Sequence, residues 1–187
     1  MSKTYGVFLR GINVGGIQIK MDALKAAFAE MGFSRVQTVL ASGNVVATAP
    51  QGTQSREELK QLTEQALSAR FGYEAYVILR DATETARLIT AAQAVTVPPD
   101  THQYILICDD AALPAELETL FDSTPHLPVE QFLQSGQDAM WLVPKGSTLA
   151  SDFGSKVLGS KKYKSRLTSR NINTIEKVHH LLSAERG

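Results

Sequence analysis

One order of secondary-structure elements is predicted twice along this chain of 187 residues, which limits it to a duplicated sheet-and-helix fold. Short β-rich runs and amphipathic runs predict strands in the first part over residues 4–10, 35–41, 45–48 and 73–80, and helices over 21–31, 55–72 and 83–93. The second part predicts strands over residues 103–108, 129–134, 139–143 and 164–168, helices over 114–121 and 150–158, and a last helix that opens within 168–174. We infer an internal duplication.

The second helix of the first part carries the clearest local signals. Ser55 and Glu58 form a capping box at its beginning, and Gly72 is placed to end it. The apolar side chains Leu59, Leu62 and Ala66 are predicted to line its buried face.

These elements predict an α+β fold of two tandem ferredoxin-like β-α-β-β-α-β units, each followed by an extra helix. A proline pair at Pro98 and Pro99 cannot continue the helix before it, because proline lacks the backbone donor. We therefore expect a first domain over residues 1–96 and a second, shorter domain over residues 97–187.

Charge is balanced over the whole chain but not along it. The formal net charge is zero, yet the residues before Lys145 sum to −6 and those from Lys145 onward sum to +6. A basic run of this kind either attracts anions, or it simply solvates a surface or pairs with acidic residues before Lys145. Both interpretations stay open from the sequence.

The single cysteine excludes an internal disulfide, and no apolar run approaches the roughly 20 residues of a membrane span. We expect a cytoplasmic protein without a membrane partner. The four histidines lack ligand spacing, so no metal site is predicted, and no motif indicates a cofactor. Cys108, at the end of an apolar run, is expected to be a core residue.

Two loops of the first unit are predicted to meet at one end of its sheet. The first crossover makes strands one and two parallel, so the loop at residues 11–16 and the turn at residues 42–44 lie at the same end. The equivalent neighbours in the second unit are residues 109–110 and 135–137. Loops on a rigid sheet can supply ligand-binding groups.

The first of these loops has the residues of an anion cradle. Arg10 offers planar donors, and Gly11, Gly15 and Gly16 allow close approach to backbone N–H groups, with Asn13 between them. The loop lacks the glycine spacing of a dinucleotide fingerprint and the lysine of a nucleotide phosphate loop. Glycines that only relieve steric strain are the alternative explanation.

The segment before the last helix is densely polar. Arg170 and Asn171 would extend an anion site if they lie at the helix N-terminus. Alternatively, Ser169 or Asn173 caps the helix and the remaining groups are solvated.

At these segments the chain resembles domain-of-unknown-function family 1697, a family of uncharacterised bacterial proteins. The resemblance spans nearly the whole chain and depends on residues 9–16 (LRGINVGG), 21–33, 42–46 (SGNVV) and 168–174 (TSRNINT). It implies a bacterial cytosolic α+β protein and brings no substrate or catalytic residue with it.

The leading hypothesis is that the protein binds a small anionic ligand, such as a phosphorylated metabolite or nucleotide, at these loops. Its predicted ligand-binding residues are Arg10, Gly11, Asn13, Gly15, Gly16, Ser42, Asn44, Arg170 and Asn171. A nucleic-acid-associated protein that uses residues 156–170 on phosphates is one alternative. A protein-interaction module without a small-molecule site is another. No residue pattern identifies a reaction or an oligomeric state.

Overall fold

The computed structural model describes residues 3–13, 17–53 and 55–184. It contains two four-stranded antiparallel sheets, each within its own compact unit. One unit falls within Met1–Ala86 and Glu176–Gly187, and the other is Arg87–Ile175. The expected domain limits, 1–96 and 97–187, stay a prediction.

The first sheet has the strand order β2-β3-β1-β4. Its unit runs in the order β1 Thr4–Leu9, α1 Met21–Glu30, β2 Ser34–Val39, β3 Asn44–Thr48, α2 Arg56–Phe71 and β4 Val77–Arg80. Alternate strand residues such as Val7, Leu9 and Leu79 join Phe28 and Leu67 in one buried core between the sheet and its two helices. Helix α3, Ala82–Gln93, follows β4.

Helix α2 begins and ends as its sequence predicts. The Ser55 hydroxyl accepts a hydrogen bond from the Glu58 N–H at 3.0 Å, and Gly72 ends the helix in the left-handed conformation at φ 67°. The predicted buried face is wrong at Leu62, which is 40% exposed. Thr63 is buried instead. Its hydroxyl donates to the Leu59 carbonyl at 2.7 Å, so its burial leaves no hydroxyl without a hydrogen-bond partner.

The second sheet has the corresponding order β6-β7-β5-β8. The elements are β5 Thr101–Cys108, α4 Leu113–Asp122, β6 Gln131–Ser135, β7 Asp138–Pro144, α5 Asp152–Leu158, β8 Leu167–Asn171 and α6 Ile172–Ala184. Trp141 and Phe153 are fully buried in the core between this sheet and its helices, and Phe121 packs edge-on against Phe153. Cys108 belongs to the same core, as predicted.

The predicted α+β class, with two tandem β-α-β-β-α-β units that are each followed by an additional helix, is confirmed. The last helix begins within the predicted range, after a strand that is longer at its end than the predicted 164–168. Residues 168–171 extend strand β8, and α6 begins at Ile172. The predicted caps Ser169 and Asn173 are wrong, because the Asn171 side-chain oxygen accepts the Thr174 N–H at 2.9 Å.

Most of α6 belongs to the first unit, although it follows the last strand of the second. A Cβ placed on Gly6 of β1 would lie 2.6 Å from Val178 Cγ1 of α6. Thr85 Oγ1 is 2.9 Å from His179 Nδ1. Helix α6 therefore covers the face of the first sheet that α1 and α2 leave open.

The strand registers show which residues of the two units are equivalent. Gly6 pairs with Arg80 as Ile105 pairs with Arg170, and both arginines are buried. Val39 pairs with Asn44 as Ser135 pairs with Asp138, so Asn44 corresponds to Asp138. The expected equivalence of turn residues 42–44 with residues 135–137 would have matched Asn44 with Gln137, and it is wrong there because the second turn is two residues shorter.

Candidate functional site

The two loops predicted to meet in the first unit are neighbours. The Leu9 N–H donates to the Gly43 carbonyl at 2.8 Å, at the end of β1. The next residue, Arg10, donates its N–H to the Tyr76 carbonyl at 2.9 Å. The end of β1 thus lies between the β2–β3 turn and the segment that enters β4. We call this end of the sheet, with Arg10–Asn13 and the turn Leu40–Gly43, the loop edge.

Asn13 holds the loop edge together. Its Nδ2 donates to the carbonyls of Ala41 at 2.6 Å and Ile19 at 3.2 Å, and its Oδ1 accepts the Ile19 N–H at 2.8 Å. Both amide hydrogens of this side chain are used within the protein. Asn13 therefore acts as a brace between the two loops.

Asn44 has a comparable role inside the turn. It is fully buried, and its Nδ2 donates to the Val39 carbonyl at 2.8 Å and to Ser42 Oγ at 3.0 Å. Both of its amide hydrogens are also used within the protein. Among the predicted site residues, Asn13 and Asn44 shape the loops, while Ser42 lies exposed at the surface.

Left-handed backbone is concentrated at the loop edge. The φ angles are 73° at Gly11, 54° at Asn13, 59° at Leu40 and 79° at Gly43. A leucine in this region is strained, and Leu40 is also 45% exposed. Strained backbone persists only where the surrounding structure enforces it, and such positions cluster at functional sites.

Arg10 supplies the positive charge of the loop edge. Its side chain is half-buried, and burial lowers the pKa of the guanidinium below its usual range. Burial also opposes the charge of Arg56, but there hydrogen bonds and charge from Glu84 raise the pKa on balance. Burial alone therefore works against the charge of the Arg10 guanidinium.

Two predicted residues, Gly15 and Gly16, lie outside the described residues. Two others, Arg170 and Asn171, belong to the second unit. Arg170 lies within β8 and is 8% exposed, and its Nη1 donates to Thr168 Oγ1 and to the Ser169 carbonyl, each at 2.7 Å. These hydrogen bonds turn the guanidinium back toward its own strand.

The equivalent edge of the second unit has the opposite charge. The Asp109 N–H donates to the Arg166 carbonyl at 2.7 Å, as the Arg10 N–H does to Tyr76, so Asp109 takes the place of Arg10. Beside it, Asp138 Oδ1 accepts the Cys108 N–H at 2.8 Å. The two units therefore share this backbone hydrogen bond at the end of the first strand, but an aspartate stands in the second unit where the first has Arg10.

The basic C-terminal run is partly neutralised within the second unit. Lys162 Nζ lies 2.6 Å and Arg166 Nη1 2.7 Å from the carboxylate of Glu116, and the Tyr163 hydroxyl donates to it at 3.0 Å. Hydrogen bonds from Lys162 and Arg166 lower the pKa of Glu116 to about 2. Of the two interpretations of this run, these contacts favour pairing with acidic residues.

The sequence did not predict a cavity of about 610 Å³ that lies in the first unit, where β1 begins. Lys3, Tyr5 and Arg56 contribute to its lining. The Arg56 guanidinium lies 5.3 Å from the centre of the Tyr5 ring and donates to both carboxylate oxygens of Glu84, at 2.7 and 2.9 Å. Of the motifs predicted from the sequence, the capping box at Ser55 borders this cavity, but a capping box does not by itself indicate one.

Within residues 3–13, 17–53 and 55–184, no three histidine, cysteine or acidic side chains are grouped so that they could hold a metal ion. The helices of that same part of the chain are all too short or too polar to cross a bilayer.

Comparison with known proteins gives a family and a fold. No curated protein matches the sequence. The chain is similar to the conserved bacterial protein SP0830 from Streptococcus pneumoniae, with a TM-score of 0.70 and 18% identity over 98% of this chain and 99% of that one. The model of the family described as "Protein of unknown function (DUF1697)" matches residues 2–138. The chain therefore belongs to the DUF1697 family.

Proposed function

We propose that the first unit binds a small anionic, phosphate-bearing ligand at the loop edge. Arg10 would neutralise its charge, the Gly11 backbone would approach it closely, and the exposed Ser42 hydroxyl would hydrogen-bond to it. Asn13 and Asn44 would hold these groups in place. The part of Arg170 and Asn171 in ligand binding stays a prediction.

The observation that carries the proposal is the half-buried guanidinium of Arg10, whose pKa is lowered by burial at a point where two strained loops are braced together. A positive charge held partly out of water costs free energy, and an anion in contact with it offsets that cost. The planar guanidinium matches two oxygens of one phosphate.

The geometry of Gly11 supports the same proposal. Its φ of 73° is left-handed, and a Cβ placed on it would meet no described heavy atom within 4 Å. As far as residues 3–13, 17–53 and 55–184 are concerned, the space on the Cβ side of Gly11 is therefore open. Backbone N–H groups in turns of this kind form concave anion-binding surfaces.

Titration with inorganic phosphate and pyrophosphate, followed by amide chemical shifts in NMR spectra, tests the proposal. Residues of the loop edge should shift with saturation in the wild-type protein, and Arg10→Ala should abolish these shifts. Arg87→Ala, which removes an exposed arginine from α3, is the matched control and should leave them unchanged.

Sodium chloride at equal ionic strength separates a specific site from general screening. The proposal fails if the loop edge does not respond to either anion, or if Arg10→Ala responds like the wild type. A response confined to residues 156–170, and lost steeply as salt rises, would instead favour the nucleic-acid alternative.

A further inference from the structure

The two sheets differ in how their outer hairpin strands are protected. Strand β2 ends the first sheet and β6 ends the second, and both are edge strands with backbone groups directed away from the sheet. The ladder between β2 and β3 is broken between Ser34 and Gln37, and Arg35 has a left-handed φ of 52°. A bulge and a charge of this kind discourage pairing with another strand.

Strand β6 has neither protection. All five of its residues pair in continuous register with β7, from Gln131 with Leu142 to Ser135 with Asp138. Its sequence, QFLQS, contains no charged residue and no proline. An uncharged, regular edge is a template for β-strand addition.

The turn between β6 and β7 determines which groups face outward. Ser135 and Asp138 flank a turn of two residues, and residues in that position exchange both hydrogen bonds. Because the pattern alternates, Leu133 and Gln131 bond to β7, and the N–H and C=O groups of Phe132 and Gln134 point away from the sheet.

We propose that β6 pairs antiparallel with β6 of a second copy of this chain. A twofold axis at Leu133 would place Phe132 of each copy opposite Gln134 of the other, so that their outward backbone groups bond reciprocally. The two Leu133 side chains would then lie side by side on one face of the joined sheet.

A second copy fits this edge because the strand is uncharged and its outward backbone groups match those of an inverted copy. In antiparallel pairing about Leu133, Gln131 faces Ser135 and no pair within the strand brings like charges together. The Gln134 side chain is held by Glu118 of α4 at 2.5 Å, which keeps it out of the plane in which the partner's backbone would approach.

Light scattering of the full chain across a micromolar-to-millimolar concentration series tests this pairing. The wild-type protein should rise from its chain mass of 20.3 kDa toward twice that value. Leu133→Lys should remain at the chain mass, because it places two ammonium groups side by side. Gln37→Lys is the control, because Gln37 is the equivalent position of β2. Gln37 lies two residues before Val39, the last residue of β2, as Leu133 lies two residues before Ser135, the last residue of β6.

Hydrogen exchange supplies a second measurement that does not depend on a variant. The amides of Phe132 and Gln134 should exchange more slowly at high protein concentration than at low. A wild-type mass of one chain throughout the series would overturn the proposal. So would a dimer that Leu133→Lys, folded as judged by its melting transition, forms as readily as the wild type.

Discussion

The Asn13 side chain donates a hydrogen bond to the Ala41 carbonyl at 2.6 Å, across 28 positions of the chain. This contact joins the loop after β1 to the turn between β2 and β3. Asn13 itself adopts a left-handed φ of 54°. The same residue therefore braces the loop edge through its side chain and contributes to its left-handed backbone.

Replacement of Asn13 should separate these two contributions. Asn13→Gly keeps the left-handed backbone but removes the brace, and we expect it to lower the free energy of unfolding by about 1–2 kcal/mol. Asn13→Ala also imposes left-handed strain on a side chain and should cost about 1 kcal/mol more. Urea unfolding measures both, with the exposed Asn173→Ala as the control. Equal losses for the two variants would contradict the backbone part of this argument.

Contact between β1 and α6 should limit the size of residue 6. Gly6→Ala would bring its Cβ to 2.6 Å from Val178 Cγ1, and valine is a stiff side chain that cannot move aside easily. We expect a loss of about 1–3 kcal/mol from this overpacking. Val178→Ala removes the obstructing methyl group, so the double variant should lose about 1 kcal/mol less than the sum of the two single variants.

The control for this cycle is Leu182→Ala, a buried position on the same helix. Gly6→Ala and Leu182→Ala should add, because residue 182 is not among the nearest neighbours of a Cβ at residue 6. Additivity of Gly6→Ala with Val178→Ala as well would contradict the packing of α6 on the first sheet.

Gly154 of α5 offers a prediction whose sign depends on packing. Helix propensity alone favours alanine over glycine by about 1 kcal/mol. A Cβ at this position, however, would lie 1.8 Å from the Thr148 carbonyl oxygen and 2.6 Å from Trp141 Cη2. Gly154→Ala should therefore destabilise the protein by about 3 kcal/mol. Thermal unfolding measures this, and Ser155→Ala on the exposed side of α5 should change little. A stabilised Gly154→Ala variant would contradict the packing described here.

The order of elements was predictable because strand and helix periodicities differ and because caps such as Ser55 and Gly72 mark helix ends. The buried side of α2 was not predictable, because residues three and four positions after Leu59 both lie near its face of the helix, and the spacing does not decide whether Leu62 or Thr63 is buried. Nor does an amphipathic stripe indicate which sheet it covers, so the sequence of α6 does not show that it packs on the first unit.

At the candidate site, the sequence predicted which loops meet, because the crossover rule determines that from topology alone. It did not predict that Asn13 and Asn44 use their amide hydrogens within the loops, because side-chain direction depends on turn geometry. One of its two hypotheses for residues 168–174 placed Arg170 at a helix N-terminus, whereas the backbone hydrogen bonds of β5 extend β8 through that residue.

Acid should weaken the contacts between α4 and the segment before β8. Hydrogen bonds from Lys162 and Arg166 lower the pKa of Glu116 from an ordinary 4.5 to about 2. A carboxyl whose pKa is lower in the folded state stabilises it above the unfolded pKa, and this contribution disappears as pH falls through the folded pKa. Because Glu116 is 35% exposed, solvent screening should keep its contribution below about 1 kcal/mol.

We therefore expect the free energy of unfolding of the wild-type protein to exceed that of Glu116→Gln above pH 4.5, and the difference to shrink as pH falls toward about 2. Urea unfolding over this pH range measures the difference, and added salt should reduce it at the upper end. Asp122→Asn, at an exposed position of the same helix, is the control and should follow the wild type. A difference between wild type and Glu116→Gln that is constant across the range would show that the carboxylate does not titrate between these values, and would contradict its pairing with Lys162 and Arg166.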